Sequence, residues 1–141
     1  MFNRLTPYTP LLQAALRIMT GLLFIEHGTM KLFQFPAGGP GGGSGPPLLS
    51  LLGVAAIMEL VGGTLFALGA LTRPVAFLLS GQMAVAYFMA HGSRNFFPAT
   101  NGGDAAVLFC FIFLFFVGAG PGAIAVDNLR KPGNPSSGLS A

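Results

Sequence analysis

Four long apolar stretches, separated by Gly and Pro, constrain the fold of this chain more than any other feature of its sequence. They cover roughly residues 11–32, 48–71, 75–90 and 103–117. A helix needs about 20 apolar residues to cross the hydrocarbon core of a bilayer, and the first two stretches reach that length. The last two are shorter, about 16 residues each, so we expect them to extend by a turn into the membrane interface. The sequence therefore predicts an all-α fold, a bundle of four transmembrane helices.

Composition excludes the main alternatives to a membrane protein. Only 8% of the 141 residues are charged, against about 25% in a typical soluble domain, so a water-soluble fold could not cover its surface. Hydrophobic residues make up 52% of the chain, whereas intrinsically disordered chains combine low hydrophobicity with high charge. The net charge of +3 is not gathered into a basic cluster, so we expect the lipid bilayer, and not nucleic acid, as a partner.

The distribution of Lys and Arg predicts the orientation. With four spans, the N-terminus, the turn at Arg73 and the C-terminal tail share one side of the membrane. Five basic residues belong to this side, counting one that can snorkel from inside the first helix: Arg4, Arg17, Arg73, Arg130 and Lys131. Only Lys31 and Arg94 belong to the other side. Because Lys and Arg favour cytoplasmic loops, we expect both termini in the cytoplasm, with residues 1–131 forming one membrane domain and residues 132–141 a disordered tail.

This orientation gathers most other polar residues in the outer half of the bundle. They come from all four spans and the outer turns: Glu26, His27, Lys31, Glu59, Tyr87, His91, Arg94, Asn101 and Asp104. Charged groups inside a bilayer are costly and nearly always face a bundle interior or a cavity. We interpret the set as a binding site. The alternative is that ion pairs such as Glu26–Lys31 or Arg94–Asp104 only hold helix ends together.

Glu59, His27 and His91 are the candidate catalytic residues, because histidine and a buried carboxyl suit general acid–base chemistry. The other six residues of the set are candidate substrate-binding residues. Glu59 has no basic residue within a helical turn, so we expect its partner to come from another helix. No metal site is predicted, since the chain has a single cysteine, Cys110, and haem is disfavoured because each histidine can hydrogen-bond locally.

Glycines and phenylalanines predict how the helices pack. Small residues permit close helix approach in membranes, and we assign this role to Gly21, Gly28, Gly62, Gly63 and Gly69. The phenylalanine-rich residues 109–116 are expected to face lipid and to pack against other helices. The glycine-rich loop 36–47 lacks the ending of a phosphate-binding loop, so we expect a flexible external linker.

Several spaced motifs resemble those of the DoxX family of small bacterial integral membrane proteins. The first span carries Arg17-x-x-x-Gly21-x-x-Phe24-x-x-His27-Gly28-x-x-Lys31-Leu32. The second carries Glu59-x-x-Gly62-Gly63 and then Gly69-x-Leu71-Thr72-Arg73. Later in the chain stand Phe97-Pro98-x-x-Asn101-Gly102-Gly103-Asp104 and Gly120-Pro121-Gly122 with Asp127. The resemblance extends over roughly residues 14–130, with Asp104 where the family commonly has glutamate.

The resemblance implies a multi-pass protein of the bacterial cytoplasmic membrane. Because some DoxX relatives are small subunits of thiosulfate:quinone oxidoreductases, it also implies a membrane subunit of a quinone-linked redox system, with quinone as the cofactor. No flavin or nicotinamide fingerprint is present, so a partner redox protein would carry the electrons. Two alternatives stay open, a small proton-coupled transporter or channel that uses the same buried groups, and a scaffold without catalytic activity. Homo-oligomers are compatible with all three.

Overall fold

The computed structural model describes residues 4–38 and 45–129. Within these ranges the chain forms helices and no strand, which confirms the predicted all-α class. The longer helices are α1 (Thr9–Phe33), α2 (Leu51–Leu68), α3 (Thr72–Ala86) and α5 (Asp104–Ala119), and the two short ones are α4 (Pro98–Asn101) and α6 (Val126–Leu129). The predicted disordered tail, residues 132–141, and the glycine-rich residues 39–44 of the first loop lie outside the described residues.

Within residues 4–38 and 45–129, three helical segments are long and apolar enough to cross a membrane: Thr6–Phe33, Leu51–Leu68 and Thr72–Gly92. Helix α5 is also apolar but has 16 residues. The four predicted spans thus correspond to four helices, of which the last is the shortest. Large apolar side chains are exposed along the outward faces of all four, and such surfaces are suited to contact with lipid.

Local sequence signals account for the helix ends. Ser50 caps α2, because its hydroxyl oxygen accepts the Gly53 N–H at 3.1 Å. Gly69 ends α2 in the left-handed conformation, at φ 68°, where glycine avoids the penalty of a Cβ atom. Pro74 lies in the first turn of α3, as its missing N–H favours. The turn between these two helices is therefore tight.

Glycine determines how closely the helices approach. Helix α1 lies along α2, and α3 lies along α5, with α2 and α3 joining the two pairs. A methyl group at Gly21 would lie 2.7 Å from the Cβ atom of Ala67, and one at Gly28 would lie 2.7 Å from the backbone nitrogen of Leu60. The predicted close packing of the first two helices is confirmed.

The core between the helix pairs is largely aromatic. Phe24 of α1 and Phe66 of α2 each make edge-to-face contacts with Phe113 of α5, with ring centroids 4.9 Å apart. Phe109 and Phe116 are buried with them, whereas Phe111 and Phe115 are exposed. The phenylalanine-rich segment therefore both packs and faces outward, as the sequence predicted.

A candidate polar site between the first three helices

A buried ion pair joins α1 to α2. The Lys31 ammonium, in the last turn of α1, donates to Oε1 of Glu59 in the middle of α2. The Glu59 side chain is 2% exposed and that of Lys31 is 15% exposed. Glu59 therefore finds its partner on another helix, as expected from its isolation along α2.

The close packing at Gly28 makes this pair possible. Gly28 lies one turn before Lys31 and packs against the backbone of Leu60, the neighbour of Glu59. Because no side chain separates the two backbones here, the lysine side chain reaches a carboxylate in the interior of the bundle. The small residue and the ion pair thus belong to one local arrangement.

Gln82 of α3 completes the group, and the sequence reasoning missed it. Its amide Nε2 donates to the Ala55 carbonyl at 3.1 Å and lies 3.5 Å from Oε1 of Glu59. The available signal was an amide side chain in an otherwise apolar span, since polar side chains in such spans usually hydrogen-bond across helices. We refer to Lys31, Glu59 and Gln82 as the interior polar cluster.

Two oxygen atoms of the interior polar cluster have no hydrogen-bond partner among the described residues. These are Oε2 of Glu59 and Oε1 of Gln82, and both atoms are buried. An unsatisfied buried polar group costs about 1–3 kcal/mol, and the cost is offset when a bound water or ligand donates to it. The cluster therefore has an unused capacity to accept hydrogen bonds.

A second polar cluster lies where α3 ends. Residues Tyr87–Gly92 form a π-helical turn, a local widening of the helix that is frequent at functional sites. The Tyr87 hydroxyl donates to the Phe96 carbonyl and accepts from Nδ2 of Asn101 at 3.3 Å. The Nδ1–H of His91 donates to the Asn101 carbonyl at 3.1 Å. Three of the predicted site residues are thus brought together, through bonds that stabilise the turn between α3 and α5.

The remaining predicted site residues join neither cluster through a hydrogen bond. His27 donates from Nδ1 to the Leu23 carbonyl of its own helix at 2.8 Å, and its ring contacts that of Phe109. The other three are exposed: Glu26, Arg94 and Asp104. The two pairs named for the alternative interpretation, Glu26–Lys31 and Arg94–Asp104, do not form ion pairs in the described part of the chain, where Lys31 pairs with Glu59. The structure divides the nine candidates among several locations, and their chemical roles stay predictions.

Arg17 is the clearest correction to the sequence reasoning. We expected its side chain to snorkel toward the cytoplasmic interface, but it is 0% exposed. Its guanidinium donates to the backbone carbonyls of Pro121 and, at 2.7 Å, of Ile124, with longer bonds to Ala123 and Ala67. The carbonyls that follow α5 have no helical partner, and the buried Arg17 guanidinium donates to them.

The closing segment, residues 120–129, is attached at further points. The Asp127 carboxylate accepts the backbone N–H groups of Leu71 and Thr72, both at 2.8 Å, where α3 begins. Asp127 also donates its own N–H to the Gly69 carbonyl at 2.9 Å. An acidic side chain at a helix N-terminus is stabilising. The motif residues at this end of the bundle therefore close the fold.

A surface groove of about 580 Å³ lies at this same end, beside Gln13, Thr72 and Asp127. Gln13 and Lys31 are 18 positions apart on α1, which corresponds to about 27 Å along the helix axis. The groove is therefore remote from the interior polar cluster.

Comparison with known proteins assigns the chain to a family. The DoxX family model matches residues 12–92. An uncharacterized protein of Haemophilus influenzae is 47% identical over 131 residues, which covers 89% of this chain and 96% of that protein. This chain belongs to the DoxX family. Together with the three long apolar helices, DoxX membership makes it a multi-pass membrane protein.

The DoxX match includes some of the described features and not others. It contains Arg17 and the whole interior polar cluster, whereas Asn101, Asp104 and the closing segment lie beyond it. The Haemophilus influenzae relative is itself uncharacterized and supplies no activity. No solved structure matches the chain.

Proposed function

We propose that this DoxX protein is the small membrane subunit of a quinone-linked redox system, and that the interior polar cluster is its quinone site. The observation that supports this is the Glu59 carboxylate, which is buried beside the Lys31 ammonium and whose Oε2 receives no hydrogen bond from the described residues. Ionisable groups inside membrane proteins are costly and mark functional pathways more often than packing. A group that is both buried and unsatisfied is suited to a ligand that exchanges protons.

The chemistry of quinones matches the composition of the cluster. Reduction of a quinone to a quinol takes up two electrons and two protons, and oxidation of the quinol releases them. Glu59 would exchange a proton as a general acid–base group, while Lys31 stabilises the carboxylate form. Lys31 is also the more exposed member of the pair and connects the cluster to water. The electrons pass to or from a partner redox protein, because the chain carries no flavin or nicotinamide motif.

His27 and His91 keep secondary roles in this proposal. His27 lies one turn before Lys31 on α1, and its ring contacts Phe109, so it stands beside an aromatic wall on which a quinone ring could pack. His91 belongs to the π-helical turn after α3. We assign proton relay to both residues, because an imidazole ring can both accept and donate a proton.

The placement of the protein in the membrane is part of the proposal. Helix α5, with 16 residues, is about 24 Å long and would serve as the fourth span together with its flanking turns. The excess of Lys and Arg at the end that carries Arg73 supports a cytoplasmic location for both termini. The interior polar cluster would then lie in the outer half of the bacterial cytoplasmic membrane.

A small proton-coupled transporter is the second candidate function. The specific observation in its favour is again the opposite charges of Lys31 and Glu59 on neighbouring helices, because acids in this position also serve proton relays in transporters. The two functions differ in what they require. The redox subunit needs a bound quinone, and the transporter does not.

The first experiment measures quinone bound to the purified protein. The protein is isolated from its native membrane with its partners, and the quinone content is determined by chromatography of a lipid extract. Glu59→Gln keeps the size of the side chain but removes its titratable proton. We expect this variant to insert normally and to lose quinol–quinone turnover by at least about a hundredfold, the lower end of the range for loss of a general acid–base group.

Thr64→Ala is the matched control. Thr64 lies on α2 near Glu59, is exposed, and donates only to the Leu60 carbonyl of its own helix, so this variant should behave as the parent protein does. Unchanged turnover in Glu59→Gln, or its failure to fold, would contradict the proposal. Proton flux into quinone-free proteoliposomes that Glu59→Gln abolishes would favour the transporter instead.

A further inference from the structure

The two unpartnered oxygens of the interior polar cluster indicate which kind of ligand it can hold. The orientation of the Gln82 amide is determined by its surroundings, because Nε2 faces the Ala55 carbonyl and Oε1 of Glu59, which are both acceptors. The remaining amide atom, Oε1, is therefore an acceptor. Oε2 of Glu59 is a second acceptor. Within the described part of the chain, neither oxygen receives a hydrogen bond.

A ligand that satisfies these oxygens has to donate hydrogen bonds. The carbonyl oxygens of a quinone can only accept hydrogen bonds. A quinone carbonyl placed beside Oε2 of Glu59 or Oε1 of Gln82 would therefore be repelled, because both atoms present lone pairs. The hydroxyl groups of the reduced quinol donate, and bonds from a hydroxyl to a charged acceptor are the stronger kind. We infer that the interior polar cluster binds the quinol form in preference to the quinone. The inference rests on the proposed function, which supplies the ligand class.

The same geometry disfavours a cation as the occupant. The Lys31 ammonium is bonded to the Glu59 carboxylate, and a second positive charge a few ångströms away would be repelled by it. The described residues also contain no group of three or more His, Cys, Asp or Glu side chains that could hold a metal ion. A neutral donor fits the charge of the cluster.

The test compares the two redox forms of one ligand. Short-chain ubiquinol and ubiquinone are titrated under anaerobic conditions into the full-length protein in lipid nanodiscs, with calorimetry as the readout. We expect the quinol to bind at least about tenfold more tightly, the change that one or two hydrogen bonds produce. Gln82→Met removes one acceptor at similar volume, so it should weaken quinol binding while quinone binding stays within about twofold. Thr64→Ala should leave both affinities unchanged.

The outcomes test two separate claims, the preference for quinol and the presence of a quinone site. Equal affinity for the two forms would overturn the preference and would mean that bound water satisfies the two oxygens, while the proposed quinone site would stand. Binding of neither form would overturn the proposed function itself. If Gln82→Met fails to fold, the affinity ratio measured on the parent protein decides the question alone.

Discussion

Arg17 and Glu59 are charged side chains that the structure buries almost completely, and their surroundings differ. Arg17 is surrounded by backbone carbonyls of the closing segment, and only its Nε atom lacks a partner among the described residues. Glu59 has one bonded oxygen, Oε1, and one oxygen, Oε2, to which no described residue donates a hydrogen bond. In a membrane, a charge surrounded by its own chain stabilises the fold, whereas a charge left partly unsatisfied is available to a ligand. Burial alone therefore does not distinguish a charge that stabilises the fold from a charge that is available to a ligand.

Removal of Arg17 should have the largest effect on stability. In Arg17→Met, at least two carbonyls of the closing segment lose a charged donor, at about 1.5–3 kcal/mol each, so we expect a loss of about 3–6 kcal/mol in the free energy of unfolding. Circular dichroism during denaturant titration in detergent measures this loss. Arg4 is exposed, so Arg4→Gln should change stability by less than about 0.5 kcal/mol. Equal effects of the two substitutions would remove the distinction that we draw for Arg17.

Substitution of Lys31 should reduce the stability of the protein more than substitution of its partner Glu59. Lys31→Met leaves the Glu59 charge buried and unpaired, for which we expect a loss of about 2–4 kcal/mol. Glu59→Gln leaves Lys31, which is partly exposed and can extend its ammonium toward water, so the loss should be about 1 kcal/mol. Thermal unfolding of the single and double variants measures both effects. The double variant should lose less than the sum of the two, and strictly additive losses would show that the residues do not interact.

A smaller effect should follow from the glycine that positions the pair. Gly28→Ala forces α1 away from Leu60 and should destabilise the protein by about 1–2 kcal/mol. Gly81, on α3, has no atom within 4 Å of an added Cβ atom, so Gly81→Ala should be neutral or stabilise by up to about 1 kcal/mol. The same thermal unfolding assay compares them. If Gly28→Ala destabilises the protein no more than Gly81→Ala does, the close approach of α1 and α2 is not required for stability.

Most of the fold was readable from the sequence, and the candidate site was readable only in part. Long apolar stretches and glycines are local signals, and the four long helices agree with them. The interhelical partner of Glu59 was expected, but neither its identity as Lys31 nor the contribution of Gln82 was. Arg94 and Asp104, which are close in sequence, were named as an alternative ion pair, yet they do not form one. Proximity along a chain does not determine which side chains meet across helices.

The sequence by itself determined that this chain is an apolar, multi-helix membrane protein of the DoxX family, because span length, low charge and spaced motifs are properties of the chain alone. Only the tertiary structure decided which buried charges are satisfied. Arg17 and the closing segment are more than 100 positions apart, and Lys31 and Glu59 come from different helices. Hydrogen bonds act over about 3 Å, so their pattern depends on how the helices pack and is not written in any single span.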